Sequence, residues 1–216
     1  MGVASLRITE VFLSLQGEAN TVGLPTVFVR LTGCPLRCQY RDTEYAFTGG
    51  RLQTIDSIVA DVVELGVPRV TVTGGEPLAQ PRVHALMSAL CDNGMAVSLE
   101  TSGALDIHDV DDRVVRVVDF KTPDSKEARR NLWTNVEALT RNDQVKCVLC
   151  SESDYGWVKM KCDEYRLGER VANVLFSPSF GELQPTDLGN WIVRDRLAVR
   201  MQVQLHKILW SDEPGL

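Results

Sequence analysis

The feature that most constrains this chain is an alternation of short, β-branched apolar runs with stretches of helical spacing. Val27–Leu31, Val70–Thr73, Ala96–Leu99, Val114–Phe120, Val145–Leu149, Val174–Phe176 and Met201–Leu205 read as strands. Thr54 can cap a helix with Ile55, Ile58, Val59, Val62 and Val63 on one face, ended by Gly66 and Pro68. A second helix opens at Pro81, carries Val83, Leu86, Met87 and Leu90, and stops at Gly94. Further helices are expected near Asp154–Tyr165 and Leu183–Arg194. Such alternation predicts parallel strands joined by right-handed crossovers, hence an α/β fold. Six to seven mostly parallel strands are too few to close an eight-unit barrel. A partial, incomplete TIM-like barrel is therefore expected, with its chemistry at the carboxyl ends of the strands.

A length of 216 residues suits one domain spanning residues 1–216, and no repeat or linker divides it. The net charge of -6 argues against a broad nucleic-acid footprint, which needs clustered Lys and Arg. A small-molecule substrate fits better. No apolar run approaches membrane-spanning length and the N-terminus lacks a signal peptide's apolar region, so a cytoplasmic protein away from membranes is expected. Of the six cysteines, Cys147 and Cys150 lie in an apolar run with no second pair to complete a tetrahedral metal site. Together with Cys91 and Cys162 they read as buried small hydrophobes.

Two segments carry chemistry. The first is Gly33-Cys34-Pro35-Leu36-Arg37-Cys38-Gln39-Tyr40-Arg41-Asp42-Thr43, a loop leaving the first core strand. A short loop after a strand can wrap thiolates around one corner of an iron–sulfur cube. The second is Thr73-Gly74-Gly75-Glu76-Pro77. Read plainly it is a turn ending a strand. Read functionally, its glycines let the backbone approach a ligand while Glu76 faces an ammonium group.

Together these segments resemble the radical S-adenosylmethionine superfamily. Ser14-Leu15-Gln16-Gly17-Glu18, Arg30, Glu100-Thr101-Ser102-Gly103, Asp119-Phe120-Lys121-Thr122-Pro123, Leu175-Phe176-Ser177-Pro178 and Val203-Gln204-Leu205-His206-Lys207 are similar to the 7-carboxy-7-deazaguanine synthase family. The resemblance covers nearly the whole chain. It implies a lyase that converts 6-carboxy-5,6,7,8-tetrahydropterin to 7-carboxy-7-deazaguanine with loss of ammonia, in queuosine biosynthesis. It further implies a 4Fe-4S cluster, S-adenosylmethionine and Mg2+ as cofactors. A flavodoxin or ferredoxin as electron donor and a homodimeric state are implied as well.

Residue by residue, the resemblance makes Cys34 and Cys38 cluster ligands and Thr43 the magnesium ligand. Leu15, Gln16, Gly17, Arg30, Thr73 and His206 fall at substrate contacts, with Arg30 gripping the substrate carboxylate through a bidentate fork. Tyr40, Gly74, Gly75, Glu76, Ser102 and Lys121 fall at cofactor contacts, and Glu18, Arg30 and Thr43 count as catalytic. Other readings stand beside these: an ion pair of Arg30 with an acid such as Glu18, a turn hydroxyl at Thr43, a satisfied core histidine at His206. The chain departs from the family at one position. Arg41 stands where the third cluster cysteine belongs, and a guanidinium has no lone pair to give iron. An inactive pterin- or S-adenosylmethionine-binding paralogue, an altered variant and recruitment of another ligand all remain open. A small radical activase of a protein partner is a further alternative.

Overall fold

The structure is a computed structural model that describes residues 4–39 and 47–211. Tyr40, Arg41 and Thr43 lie outside the described residues. A nine-stranded sheet runs in the order β3-β1-β2-β4-β5-β6-β7-β8-β9 and does not close. Its strands are β1 (Ser5–Leu15), β2 (Pro25–Leu31), β3 (Arg51–Thr54), β4 (Arg69–Gly74), β5 (Ala96–Thr101), β6 (Val115–Asp119), β7 (Gln144–Leu149), β8 (Asn173–Pro178) and β9 (Arg200–Met201). From β2 through β4 to β9 every neighbouring pair is parallel. Six of these seven, β2 and β4 to β8, are strands that the alternation predicts, and the curved, incomplete barrel is confirmed. Two more, β1 and β3, pair antiparallel at one edge.

The helices are α1 (Ile55–Glu64), α2 (Val83–Asp92), α3 (Asn135–Ala138), α4 (Glu152–Tyr165), α5 (Leu167–Arg170), α6 (Pro185–Asp195) and α7 (Leu205–Trp210). Thr54 caps α1 as its sequence position suggests, its hydroxyl accepting from the Ser57 amide at 3.2 Å. Gly94 closes the second helical segment at φ 78°. One expectation is corrected. Met201–Leu205 is not a strand: β9 ends at Met201, and Leu205 begins α7. Gln202, the next residue, still donates its amide to the Phe176 carbonyl at 3.0 Å. Among the described residues no helix is long and apolar enough to cross a membrane.

Strand alternation sorts the parallel strands into two rows of side chains. Val27, Val29, Leu31, Val70, Val72, Val97, Leu99, Val118, Val145, Cys147, Leu149, Val174 and Phe176 face the helices and form the main core with Ile58, Val62, Leu86, Met87 and Leu90. The intervening residues face inward. At the foot of that inner side Ala19, Val117 and Leu175 make a separate apolar plug. Above the plug the inner row turns polar.

Candidate active site

Above the plug lies a cavity of about 380 Å³, walled by the carboxyl-terminal halves of the strands and the loops that follow them. That volume falls within the range of small-molecule sites. Leu15, Gln16, Gly17, Glu18, Arg30, Cys34, Cys38, Thr73, Gly74, Gly75, Ser102, Lys121 and His206 all line it. The structure thus brings together every site residue singled out from the sequence that it describes, except Glu76.

Gly75 fixes the cysteine end. A Cβ there would fall 2.1 Å from the Gly33 carbonyl oxygen and 2.9 Å from Cys34 Cβ, so only glycine lets the turn sit against the cysteine loop. The Gly75 amide donates to Leu31 O at 3.2 Å and the Glu76 amide to Gly33 O at 2.9 Å. Farther along the loop, Gln39 donates to Ser125 O at 3.1 Å. Burial pushes the Cys34 and Cys38 thiols up from their ordinary pKa, and the nearby Lys121 ammonium pulls both down.

Glu76 stands apart from the other site residues. Its side chain is fully buried and absent from the cavity wall. The carboxylate accepts from the Thr101 hydroxyl at 2.9 and 3.0 Å, the Ser102 amide at 2.8 Å, the Ser102 hydroxyl and the Leu78 amide at 3.0 Å. It ties the β4 turn to the end of β5.

The polar wall is built from inward strand positions. Gln16 donates through Nε2 to Thr71 Oγ1 at 3.1 Å and to Glu100 Oε1 at 3.3 Å, and Thr73 donates to Glu100 Oε2 at 3.0 Å. Arg30 donates from Nε to Glu10 Oε1 at 2.6 Å and lies 5.5 Å from the Phe12 ring centroid; its acid partner on the strand is Glu10, not Glu18. Glu18 instead accepts from the Lys146 ammonium and from Gln204 Nε2 at 2.8 Å. Asp119 Oδ2 lies 2.9 Å from Lys121 Nζ and 3.7 Å from Lys146 Nζ. His206, in the first turn of α7, turns its Nδ1 edge to Gly17: a Cβ there would fall 2.2 Å from Nδ1.

Sequence reasoning gives Glu100, Asp119 and Lys146 no role. The available signal is a charge inside an apolar strand, most plainly Lys146 between Val145 and Cys147. Burial raises the pKa of Glu100, with Glu18 adding to the shift and Lys146 opposing it. Burial alone would lower that of Lys146, but Glu18 and Asp119 more than offset it and the net shift is upward.

Two buried wall atoms, Asp119 Oδ1 and Ser177 Oγ, have no hydrogen-bond partner among the described residues. An occupant with polar edges fits such a wall, because buried polar atoms otherwise carry a desolvation cost. The fit to an iron–sulfur cluster is incomplete. Cys34 and Cys38 stand at one cavity, yet no three His, Cys, Asp or Glu among the described residues gather to hold a metal, and position 41 offers a guanidinium.

The radical SAM superfamily model matches residues 28–120. 7-Carboxy-7-deazaguanine synthase of Chlorobaculum tepidum is 43% identical, over 97% of this chain and 96% of its own length. That of Koribacter versatilis is 39% identical over 96% and 98%, and that of Pyrobaculum aerophilum 45% over 97% of each. The chain belongs to the 7-carboxy-7-deazaguanine synthase family. Members of this family are radical S-adenosylmethionine lyases of queuosine-precursor formation, and their cofactors are a 4Fe-4S cluster and S-adenosylmethionine. The crystal structure of QueE from Escherichia coli superposes with a TM-score of 0.77 over 94% of this chain and 95% of that one, at 20% identity. SuiB of Streptococcus suis bound to S-adenosylmethionine gives 0.58 over 86% and 51%, at 14%. Both share the synthase family's fold.

Proposed function

We propose that the cavity binds 6-carboxy-5,6,7,8-tetrahydropterin beside S-adenosylmethionine, as the ring-contracting lyases of this family require. One observation carries this reading: the two cysteines and the Gly75 turn share a single cavity with Gln16, Glu18, Arg30, Thr73 and Glu100. Arg30 holds the substrate carboxylate through its planar guanidinium. Glu18 accepts from the N–H donors of the pterin's amino-pyrimidine edge, while Gln16, Thr73 and Glu100 meet its remaining polar atoms. Leu15 and His206 flank the ring, and Gly17 lets His206 lie close. Gly74, Gly75, Ser102 and Lys121 receive the nucleoside cofactor, which supplies hydrogen abstraction from carbon when bound. Thr43 would offer its hydroxyl to a magnesium ion, which would supply positive charge toward the substrate carboxylate. The chain works as one domain, as a cytoplasmic homodimer and with a small redox protein as reductant.

Arg41 favours a second reading, in which this family member binds its ligands without assembling a complete cluster. After anaerobic reconstitution the protein is expected to hold far less iron than Arg41→Cys, and only the latter to turn over. Equal iron and turnover in the two proteins rule this second reading out. The pterin reading is tested by calorimetry with pterin-6-carboxylate, a stable oxidised analogue. Arg30→Met should weaken binding at least about tenfold, the worth of a charge-assisted pair. Unchanged affinity sinks the assignment of Arg30.

A further inference from the structure

We propose that Lys146 is a positioning residue whose ammonium holds the Glu18 carboxylate in place as the acceptor for the pterin's N–H edge. The inference rests on the pterin reading above and gives Glu18 its orienting partner. Lys146 occupies an inward position of β7, between Val145 and Cys147, which pack toward the helices. Strand alternation therefore aims a lysine into the cavity from a strand that is apolar beyond Gln144. Its side chain is 12% exposed and that of Glu18 11%, so the pair is nearly removed from water. Gln204 takes the other Glu18 oxygen at 2.8 Å. The carboxylate is thus gripped from β7 and from the segment after β9. The Glu18 amide donates to Gln16 Oε1 at 3.2 Å, which ties the same turn to the polar wall.

The surroundings explain why a cation is needed. Glu100 on β5 acts on Glu18, and Asp119 at the end of β6 and Lys121 just beyond it act on Lys146, Asp119 from 3.7 Å. Arg30 on β2 acts on Glu100, and His206 lies against Gly17, one residue from Glu18. Without Lys146, Glu18 would be a buried carboxylate beside Glu100 with Gln204 still donating to it, and it would retain a proton at neutral pH. A protonated carboxyl has lost acceptor capacity toward an N–H edge.

The test uses calorimetry with pterin-6-carboxylate on the full chain without cluster, from about pH 6 to about pH 9, a span that covers an upward-shifted carboxyl. Lys146→Met should bind about tenfold more weakly than the parent near neutral pH and recover toward it as pH rises. Lys146→Arg should keep the parent profile. Lys146 also acts on Glu100, so the same comparison is made in a Glu100→Gln background, where the difference between the two curves isolates Glu18. Glu18→Gln with Lys146→Met removes both charges and avoids a lone buried ion. It should bind no more weakly than Glu18→Gln alone. A Lys146→Met protein with the parent's affinity, or weakened equally at every pH, overturns the inference while leaving the pterin reading intact. A parent that binds no pterin overturns both.

Discussion

Inside the cavity wall, Glu100 accepts from Thr73 and Gln16 while burial raises its pKa. A carboxyl whose folded pKa exceeds its unfolded one stabilises the fold most below the unfolded value, and that contribution fades as pH rises through the folded one. Glu100→Gln removes this dependence. Its melting temperature relative to the parent should therefore climb as pH rises from the ordinary carboxylate range through neutrality, read by scanning calorimetry. A constant difference would show that Glu100 is not the titrating group. Gly75 gives a second prediction at this scale. Gly75→Ala must displace backbone on the cysteine loop, because Gly33 carbonyl atoms are the first that its Cβ meets. A cost of about 1–3 kcal/mol is expected in denaturant unfolding, with faster alkylation of Cys34 and Cys38. Residue types and loop motifs make most cavity residues legible in the sequence. Glu76 is the exception, because nothing in a Gly-Gly-Glu-Pro string shows which neighbours will claim the carboxylate, here Thr101 and Ser102 from twenty-five and twenty-six positions away.

The elements are legible in proportion to how cleanly their periodicity survives. Six of the parallel strands, β2 and β4 to β8, are buried on their helix-facing side and read as apolar runs. β1 hides itself: Leu6 and Ile8 are buried in one phase, then a register shift between Ile8 and Glu10 puts Val11 against the core in the other, and Leu13 is exposed. A bulge of this kind erases the alternation that a strand is recognised by. β9 is two residues long, too short to show any period. Thr54→Ala deletes the cap of α1 and should cost about 1 kcal/mol in chemical unfolding. Asp143 is a sterner case. It accepts from the Arg116 amide at 2.7 Å, the Thr140 amide at 2.8 Å and the Thr140 hydroxyl at 2.9 Å, and it pairs with the buried Arg116 guanidinium at 3.3 Å. Asp143→Ala leaves that guanidinium with backbone carbonyls and the exposed Asp112, and should cost about 3–5 kcal/mol by the same measurement.

Across the whole molecule the open barrel divides stability from binding. The helix-facing core involves none of the cavity's charged residues, and α7, which bears His206, contains no buried residue. α7 is held by the Leu205 amide on Gly17 O at 3.0 Å and by Lys207 lying 4.7 Å from the Phe180 ring centroid. A chain ending at Gln204 should keep its cooperative unfolding transition and lose about tenfold in pterin-6-carboxylate affinity, since the ring loses its cover from His206. Collapse of the transition instead would make α7 part of the fold. On the opposite flank, Phe120 stands between Asp119 and Lys121 with its ring stacked on Trp133, centroids 4.5 Å apart. Trp133 in turn stacks on Tyr165 at 4.5 Å and 6°. The indole is thus mechanically joined to the very backbone that presents two charges to the chamber. Filling the chamber should change its emission, so the molecule carries a built-in lamp whose colour and brightness report occupancy without any added dye.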